Sequence, residues 1–395
     1  MARATLNLFD SGHGRMSTAI DPPTVAKPET LMRMAQLRTA TITDTQSYGP
    51  VRKLKASSKA RPPRKALKAV PVSLRDAVAG AQAYSESKGG AGLIILVDGS
   101  VAHEAYRDGL DGDTLFASQS LHKSLLALVV GTALKDGIIP SLDIPLSQFL
   151  EEWGQDTRGR ITLRQAMQMH SGLVLYSMAT GSAEALELSY GQEISRAALM
   201  SPAVEAPGSA FVYNNANAQL IGLVLSRAIK RATNEDYAAY LERRIWHPLG
   251  NGSAELWLDK ENGDPHYFAG LHASLRDWAE IGEWLRTGRL GDQAPIDDQF
   301  LAEMMAPSAT NPNYGLLLWL GAPDDGKRVY SLANPFFVAH SAPYNVDDMV
   351  FFDGFGGQRV YVSRKARLVI ARFGETSFDY DDAIIPNLIL ESLGL

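Results

Sequence analysis

The sequence predicts an α/β (α+β) chain in which strands near both ends share one sheet and a mostly helical region is inserted between them. Three observations carry this. Residues 91–109, AGLIILVDGSVAHEAYRDG, read as two strands joined by Asp98-Gly99, a favoured tight-hairpin pair. Near the C-terminus, DMVFFDGFGG, QRVYVSRK and RLVIARFG read as strands again. Between them TLRQAMQMHSGL, NANAQLIGLVLSRAIKRA and HASLRDWAEIGEWLRTG carry helical spacing.

Taken in chain order, residues 1–73 differ from the rest. VRKLKASSKARPPRKALKAVP packs Lys and Arg with Pro62, Pro63 and Pro71 and has no apolar period. It reads as an extended basic arm on the surface, or partly unstructured. The arm lacks aromatic interleaving, so a nucleic-acid or membrane tether is the lesser reading. SLRDAVAGAQAYSESKGG then reads as a helix through Leu74, Val78, Ala81 and Tyr84, stopped by Gly89-Gly90. After the hairpin, LFASQSLHKSLLALVVGTAL (115–134) reads as helix, with Ser118 as its cap. DDAIIPNLILESLGL closes the chain as a helix with Pro386 near its first turn. The expected division is an arm at 1–73, a sheet region at 74–132 plus 335–395, and a mostly helical region at 133–334. An active site is expected between the last two.

Composition narrows the function. A net charge of −6 gives no global attraction to nucleic acid. With 45% hydrophobic and 21% charged residues the chain reads as an ordinary soluble globular protein. No apolar run approaches the roughly 18 residues that span a bilayer. MARATLNLFDSGHGRMSTAI has no apolar core of signal-peptide length. The expected location is therefore cytoplasmic, or periplasmic if a signal peptide has been removed. The absence of cysteine excludes disulfides, thiolate nucleophiles and cysteine-ligated metals. The eight histidines show no zinc-helix spacing, so no metal and no cofactor is expected. The acid pairs Asp347-Asp348 and Asp381-Asp382 read as solvated loop faces.

Ser120 and Lys123 raise the chemical question. A lysine at the head of an apolar helix is unfavourable unless something pairs or uses it. Residues i and i+3 share a helix face, so the Lys123 amine can fold back onto the Ser120 hydroxyl. Desolvation by Leu121, Leu125 and Leu126 would lower the lysine pKa and make it a base at neutral pH. The same spacing recurs at Ser85 and Lys88, where it reads as a solvated helix end, so spacing alone leaves both readings open. Tyr213-Asn214-Asn215 follows a Pro207-Gly208 turn. Tyr213 reads as a proton shuttle or a core tyrosine. Asn215 reads as a lysine and substrate contact or a helix cap. FFDGFGGQRVYV offers glycines that let a substrate approach the backbone, or a bulged hairpin.

The serine-lysine pair, the tyrosine-x-asparagine and the glycine-rich strand together resemble the serine β-lactamase and penicillin-binding superfamily. Within it the chain resembles the class C-like branch with carboxylesterases and 6-aminohexanoate-dimer hydrolases. ITLRQAMQMHSGL, IWHPLGNGSAEL, FAGLHASLRDWAEIGEWLRTG and NYGLLLWLG are similar to further segments of that family. The resemblance covers about residues 75–395. It implies a β-lactamase-like fold, a mainly antiparallel sheet flanked by helices.

The resemblance also implies roles. Ser120 would be acylated, Lys123 would deprotonate it, and Tyr213 would shuttle the proton. Asn215 would position Lys123 and the substrate. The amides of Ser120 and Phe355 would form the oxyanion hole, and Tyr176 would line the acyl pocket. The third motif departs from the family. Where Lys or His, then Thr or Ser, then Gly is usual, Phe352-Asp353-Gly354 stands, with GFGGQ as a competing register. The cation that would hold a β-lactam carboxylate is missing. The expected function is a serine hydrolase acting on a small ester or amide. β-Lactamase or D-peptidase activity and a non-catalytic ligand-binding member are the alternatives. No Gly-x-Ser-x-Gly elbow supports an α/β-hydrolase, and no phosphate loop is present.

Overall fold

In the computed structural model the structure describes residues 25–59, 64–68, 70–176, 181–323, 325–330 and 336–395. The strands are β1 (Val51–Leu54), β2 (Gly90–Val97), β3 (Ser100–Tyr106), β4 (Leu115–Ala117), β5 (Ala254–Trp257), β6 (Leu271–Ser274), β7 (Trp319–Leu320), β8 (Lys327–Val329), β9 (Phe337–Ala339), β10 (Val350–Gly354), β11 (Gln358–Ser363) and β12 (Leu368–Gly374). The α-helices are α1 (Pro28–Leu37), α2 (Val72–Ser87), α3 (Leu121–Lys135), α4 (Leu163–Met167), α5 (Ala183–Tyr190), α6 (Ile194–Leu199), α7 (Asn215–Thr233), α8 (Tyr237–Leu241), α9 (Leu275–Thr287), α10 (Asp298–Met304) and α11 (Ile384–Ser392).

The main sheet runs β3-β2-β12-β11-β10-β7, every pair antiparallel. Its first hairpin turns at Asp98 and Gly99, both at positive φ (50° and 73°), the backbone that a two-residue turn between twisted strands requires. β10, β11 and β12 are buried on both faces, so they read as near-continuous apolar runs. α9 covers one face. Ser274 caps it by accepting from the Asp277 amide, and Gly288 at φ 70° ends it. A Cβ on Gly282 would lie 2.8 Å from Val360 and Val369, so glycine lets α9 sit close to the sheet. α2 packs against both β2 and α11.

α3 is buried on every side from Leu121 to Ala133, the pattern of a helix through the centre of a large core. A Cβ on Gly131 would meet the Phe300 ring at 2.6 Å. Helices α4 to α8 and α10 fill the region between, with the core continuous into the sheet side.

The structure corrects several expectations. The arm is not simply extended. Residues 28–37 form α1, and β1 pairs with β5 in a second sheet, β1-β5-β6-β4. The arm is tied in further by Ala117 N to Ile42 O (2.9 Å) and Ser57 N to Asn251 O (2.9 Å). Its basic side chains hide a backbone that finds partners only in tertiary context. Residues 1–24 and 60–63, including Pro62 and Pro63, lie outside the described residues. The second sheet also places strands inside the stretch expected to be mostly helical, because four-residue strands carry too little period to read. Residues 115–117 are strand, not helix. Asp382 is fully buried, not solvated, because Arg328 and Arg359 hold it.

Candidate active site

The start of α3 sets the geometry. Gln119 has φ 51°, a left-handed backbone unusual for a non-glycine residue, immediately before Ser120. Ser120 itself occupies the cap position with no side-chain cap bond. Ser118 does not cap the helix; its hydroxyl donates to Gln119 O and Ala269 O. The Ser120 hydroxyl is thereby left free to meet other groups, and the residue is only half-buried.

Lys123 Nζ donates to Ser120 Oγ at 2.7 Å and to Phe268 O at 3.2 Å. Its ammonium lies 4.8 Å from the Tyr213 ring centroid and 5.7 Å from that of Phe268. Burial pushes this amine down to about 7, against the Asp353 carboxylate, which favours the ammonium. The Tyr213 phenol faces the Ser120 hydroxyl, whose influence lowers its pKa slightly. Burial, and then Asp353, hold the phenol well above its usual range, so it stays protonated at neutral pH. Ser120, Lys123 and Tyr213 therefore converge from two distant segments.

Tyr213 is held by an aromatic wall. Its ring lies 5.2 Å from Tyr330, 5.7 Å from Trp319 and 6.1 Å from Tyr314. Tyr213 N donates to Tyr330 O at 3.1 Å, and Tyr330 Oη donates to Asp353 Oδ2 at 3.0 Å. Asp353 belongs to a buried network. Arg328 Nη2 bridges Asp353 (2.7 Å) and Asp382 (2.9 Å), and Arg359 reaches the same two carboxylates at 2.8 and 2.7 Å. Two acids and two guanidiniums balance, which allows all four charges to be buried together.

The third motif is brought alongside. Gly354 ends β10, and a Cβ there would lie 2.5 Å from Leu121 Cδ1 and 2.9 Å from Ser118 O. Only glycine permits the strand to approach the head of α3 this closely. Phe355 follows directly. Phe352 is different. It is fully buried, with its ring centroid 6.3 Å from that of Trp278, so it packs in the core and is not a substrate contact. The β10 residue beside the site chemistry is Asp353, because side chains alternate across a strand.

Asn215 is not joined to the lysine. It is the first residue of α7, while both hydrogen bonds shown for Lys123 go elsewhere. The neighbouring Asn214 is the cap. It accepts from Ala216 N at 2.9 Å and donates to Val174 O at 2.6 Å. Tyr176 is half-buried, and burial, then the Glu184 carboxylate, hold its phenol above the usual range; among the described residues it is not hydrogen-bonded to Ser120, Lys123 or Tyr213. Sequence reasoning missed Phe268, Tyr330 and Arg328. Phe268 lay within a family-like stretch, FAGLHASLRDW, whereas nothing local marks Tyr330 or Arg328. Among the described residues no group of three or more His, Asp or Glu could hold a metal ion, and no helix is long and apolar enough to cross a membrane.

The family profile described as Beta-lactamase matches residues 74–388. A structure described as a candidate 6-aminohexanoate-dimer hydrolase from Bacillus anthracis superposes with TM-score 0.71 at 16% identity, over 95% of this chain and 98% of that one. EstCE1, described as a hydrolase with promiscuous acyltransferase activity, gives 0.62 at 17% identity over 81% and 98%. A family VIII carboxylesterase gives 0.60 at 17% over 84% and 98%. At these identities the likeness is one of fold. The unguisins hydrolase ungD of Aspergillus violaceofuscus is 28% identical over 97 residues, 25% of this chain and 16% of its own length.

Proposed function

The chain belongs to the Beta-lactamase family of serine hydrolases, and from that premise we propose that it cleaves an ester or amide bond through an acyl-enzyme on Ser120. The observation that carries the reading is the 2.7 Å bond between Ser120 Oγ and a buried Lys123 whose pKa is drawn down to about 7. At neutral pH a large share of such an amine is unprotonated and accepts the serine proton as Oγ attacks the carbonyl. The amides of Ser120 and Phe355 are assigned to the oxyanion, at the positions where β10 meets the head of α3. Tyr213, protonated and with its ring 4.8 Å from the Lys123 ammonium, delivers a proton to the leaving group. In the second half, water attacks the acyl carbonyl, with Tyr213 and Lys123 taking its proton and returning one to Ser120 Oγ.

Asn215 and Tyr176 keep a substrate-contact role in this proposal only through groups a bound substrate would add. Within the family, ester or amide cleavage is favoured over β-lactam cleavage. Residues 352–354 present no cation, and the aromatic at the first position is sealed in the core. The relatives described as a 6-aminohexanoate-dimer hydrolase and a carboxylesterase point the same way.

Ser120→Ala tests the proposal. Turnover of p-nitrophenyl acetate should fall by at least about a thousandfold, because the nucleophile is lost. A fluorophosphonate should add one adduct to the wild-type chain, read by intact mass, and none to the variant. Activity in Ser120→Ala comparable with wild type would falsify the assignment. Nitrocefin, 6-aminohexanoate dimer and D-amino-acid amides in the same panel separate the substrate classes.

A further inference from the structure

Beside the candidate centre lies an aromatic groove that the proposed chemistry does not use. Phe336, Phe337, Phe355 and Phe378 line it and are 42%, 56%, 45% and 69% exposed. Phe336 stacks on Phe378 with centroids 6.4 Å apart, and Phe355 meets Phe378 edge-on at 5.7 Å. Four large apolar side chains gathered at one exposed place are unusual on a soluble surface and mark a contact site. We propose that this groove binds an extended apolar group, alkyl or aryl, on the substrate of Ser120; the inference rests on the hydrolase reading.

Two links connect the groove to the reacting groups. Tyr330 forms part of its wall, lies with its ring against that of Tyr213, and accepts the Tyr213 amide at its carbonyl. Phe355 carries the amide assigned to the oxyanion, one residue beyond the Gly354 contact with the head of α3. Both links fall at the side of the site where the reacting carbonyl is assigned, so an apolar group on that substrate is the occupant the groove fits.

The polar groups around the groove argue for a neutral apolar occupant. Arg359 lies beneath it but is fully buried and satisfied by Asp353, Asp382 and the carbonyls of Gly354 and Gln358. On the rim, the Ser377 hydroxyl donates to Asp379 and its amide to Gly356 O. Lys88 pairs with Asp379 at 2.5 Å, and Lys327 Nζ lies 5.8 Å from the Phe337 ring centroid. Among the described residues that line the groove, Arg359 is the one cation, and its charge is already neutralised. What the lining offers a ligand is aromatic area.

The test is a p-nitrophenyl ester series from acetate to decanoate, run on wild type, Phe378→Ala and Phe336→Ala/Phe378→Ala. Both side chains are well exposed, and circular dichroism checks folding. Wild-type kcat/KM should rise with acyl or alkyl length. The octanoate-to-acetate ratio should fall about tenfold in the double variant, the loss expected from removing apolar area that the ligand covers. An unchanged ratio in variants that still turn over acetate overturns the groove and leaves the hydrolase reading standing. The groove proposal fails equally if the variants change only the oligomeric mass by light scattering, which would make the groove a contact between copies. If wild type neither turns over any ester nor takes the fluorophosphonate, the hydrolase reading itself fails.

Discussion

At the scale of single residues the decisive feature is a lysine whose surroundings fit it for the base role proposed above. Lys123 is 1% exposed, bonded to one hydroxyl and one carbonyl, and flanked by two aromatic rings. Burial disfavours its ammonium, and Asp353 restores part of that loss. The sign of the pH effect follows. Below about 7 the amine is protonated and cannot accept the serine proton, so kcat/KM should rise about tenfold per pH unit on the acid side. It should then level off, because the Tyr213 phenol, held far above neutrality, does not ionise in the working range. A pH profile of p-nitrophenyl acetate hydrolysis from pH 5 to 9 checks this; a rate independent of pH through 7 would remove Lys123 from the base role. The serine-lysine spacing was legible in the sequence. The identical spacing at Ser85 and Lys88 was not distinguishable by spacing; Ser85 is buried rather than solvated, and the lysines separate the two, Lys123 being enclosed and Lys88 pairing with Asp379 at the surface. Ser85 instead meets the Arg372 guanidinium inside the sheet side.

At the scale of elements, the approach of β10 to the head of α3 decides where an oxyanion could be held. Gly354 makes that approach, since any Cβ would collide with Leu121, Gln358 and the Ser118 carbonyl. Gly354→Ala should displace the strand end and the Phe355 amide together. We expect a loss of about a hundredfold in kcat, as for a misplacement near 1 Å, with a stability cost of about 1–3 kcal/mol from overpacking. Kinetics and a thermal melt on the same preparation check the pair, and wild-type kcat would show that β10 does not shape the site. The strand was readable from its apolar run, and the glycine from its motif. Which face each residue occupies was not: Phe352 looked like a site residue and is core, while Asp353 looked incidental and carries the network with Arg328, Arg359 and Asp382. Alternation fixes faces only once a partner helix declares which side is which, and α9 does so here.

At the scale of the whole molecule, dense burial gives stability a pH dependence separate from catalysis. His122 and His272 are enclosed, and burial draws both down to about 3. The unfolded chain takes up protons on these groups near 6.5, whereas the folded chain refuses them until about 3. Stability is therefore full above 6.5 and is lost as pH falls through that window. Asp259, raised to about 6 by burial and by Asp264, acts in the opposite sense between about 4 and 6 and offsets part of the loss. Urea unfolding at pH 7.5 and pH 5 should show a drop of about 2–3 kcal/mol, reduced in His272→Gln; equal stabilities would contradict the burial. The sequence by itself determined the family, the serine-lysine spacing, the tyrosine motif and the terminal sheet, because these are written as local spacing and apolar period. Only the tertiary structure decided that the arm joins a second sheet, that Asn214 rather than Asn215 caps α7, and that Tyr330 and Asp353 surround Tyr213. Those choices depend on which buried polar group finds a partner and which Cβ finds space, and both are set by segments far apart in the chain.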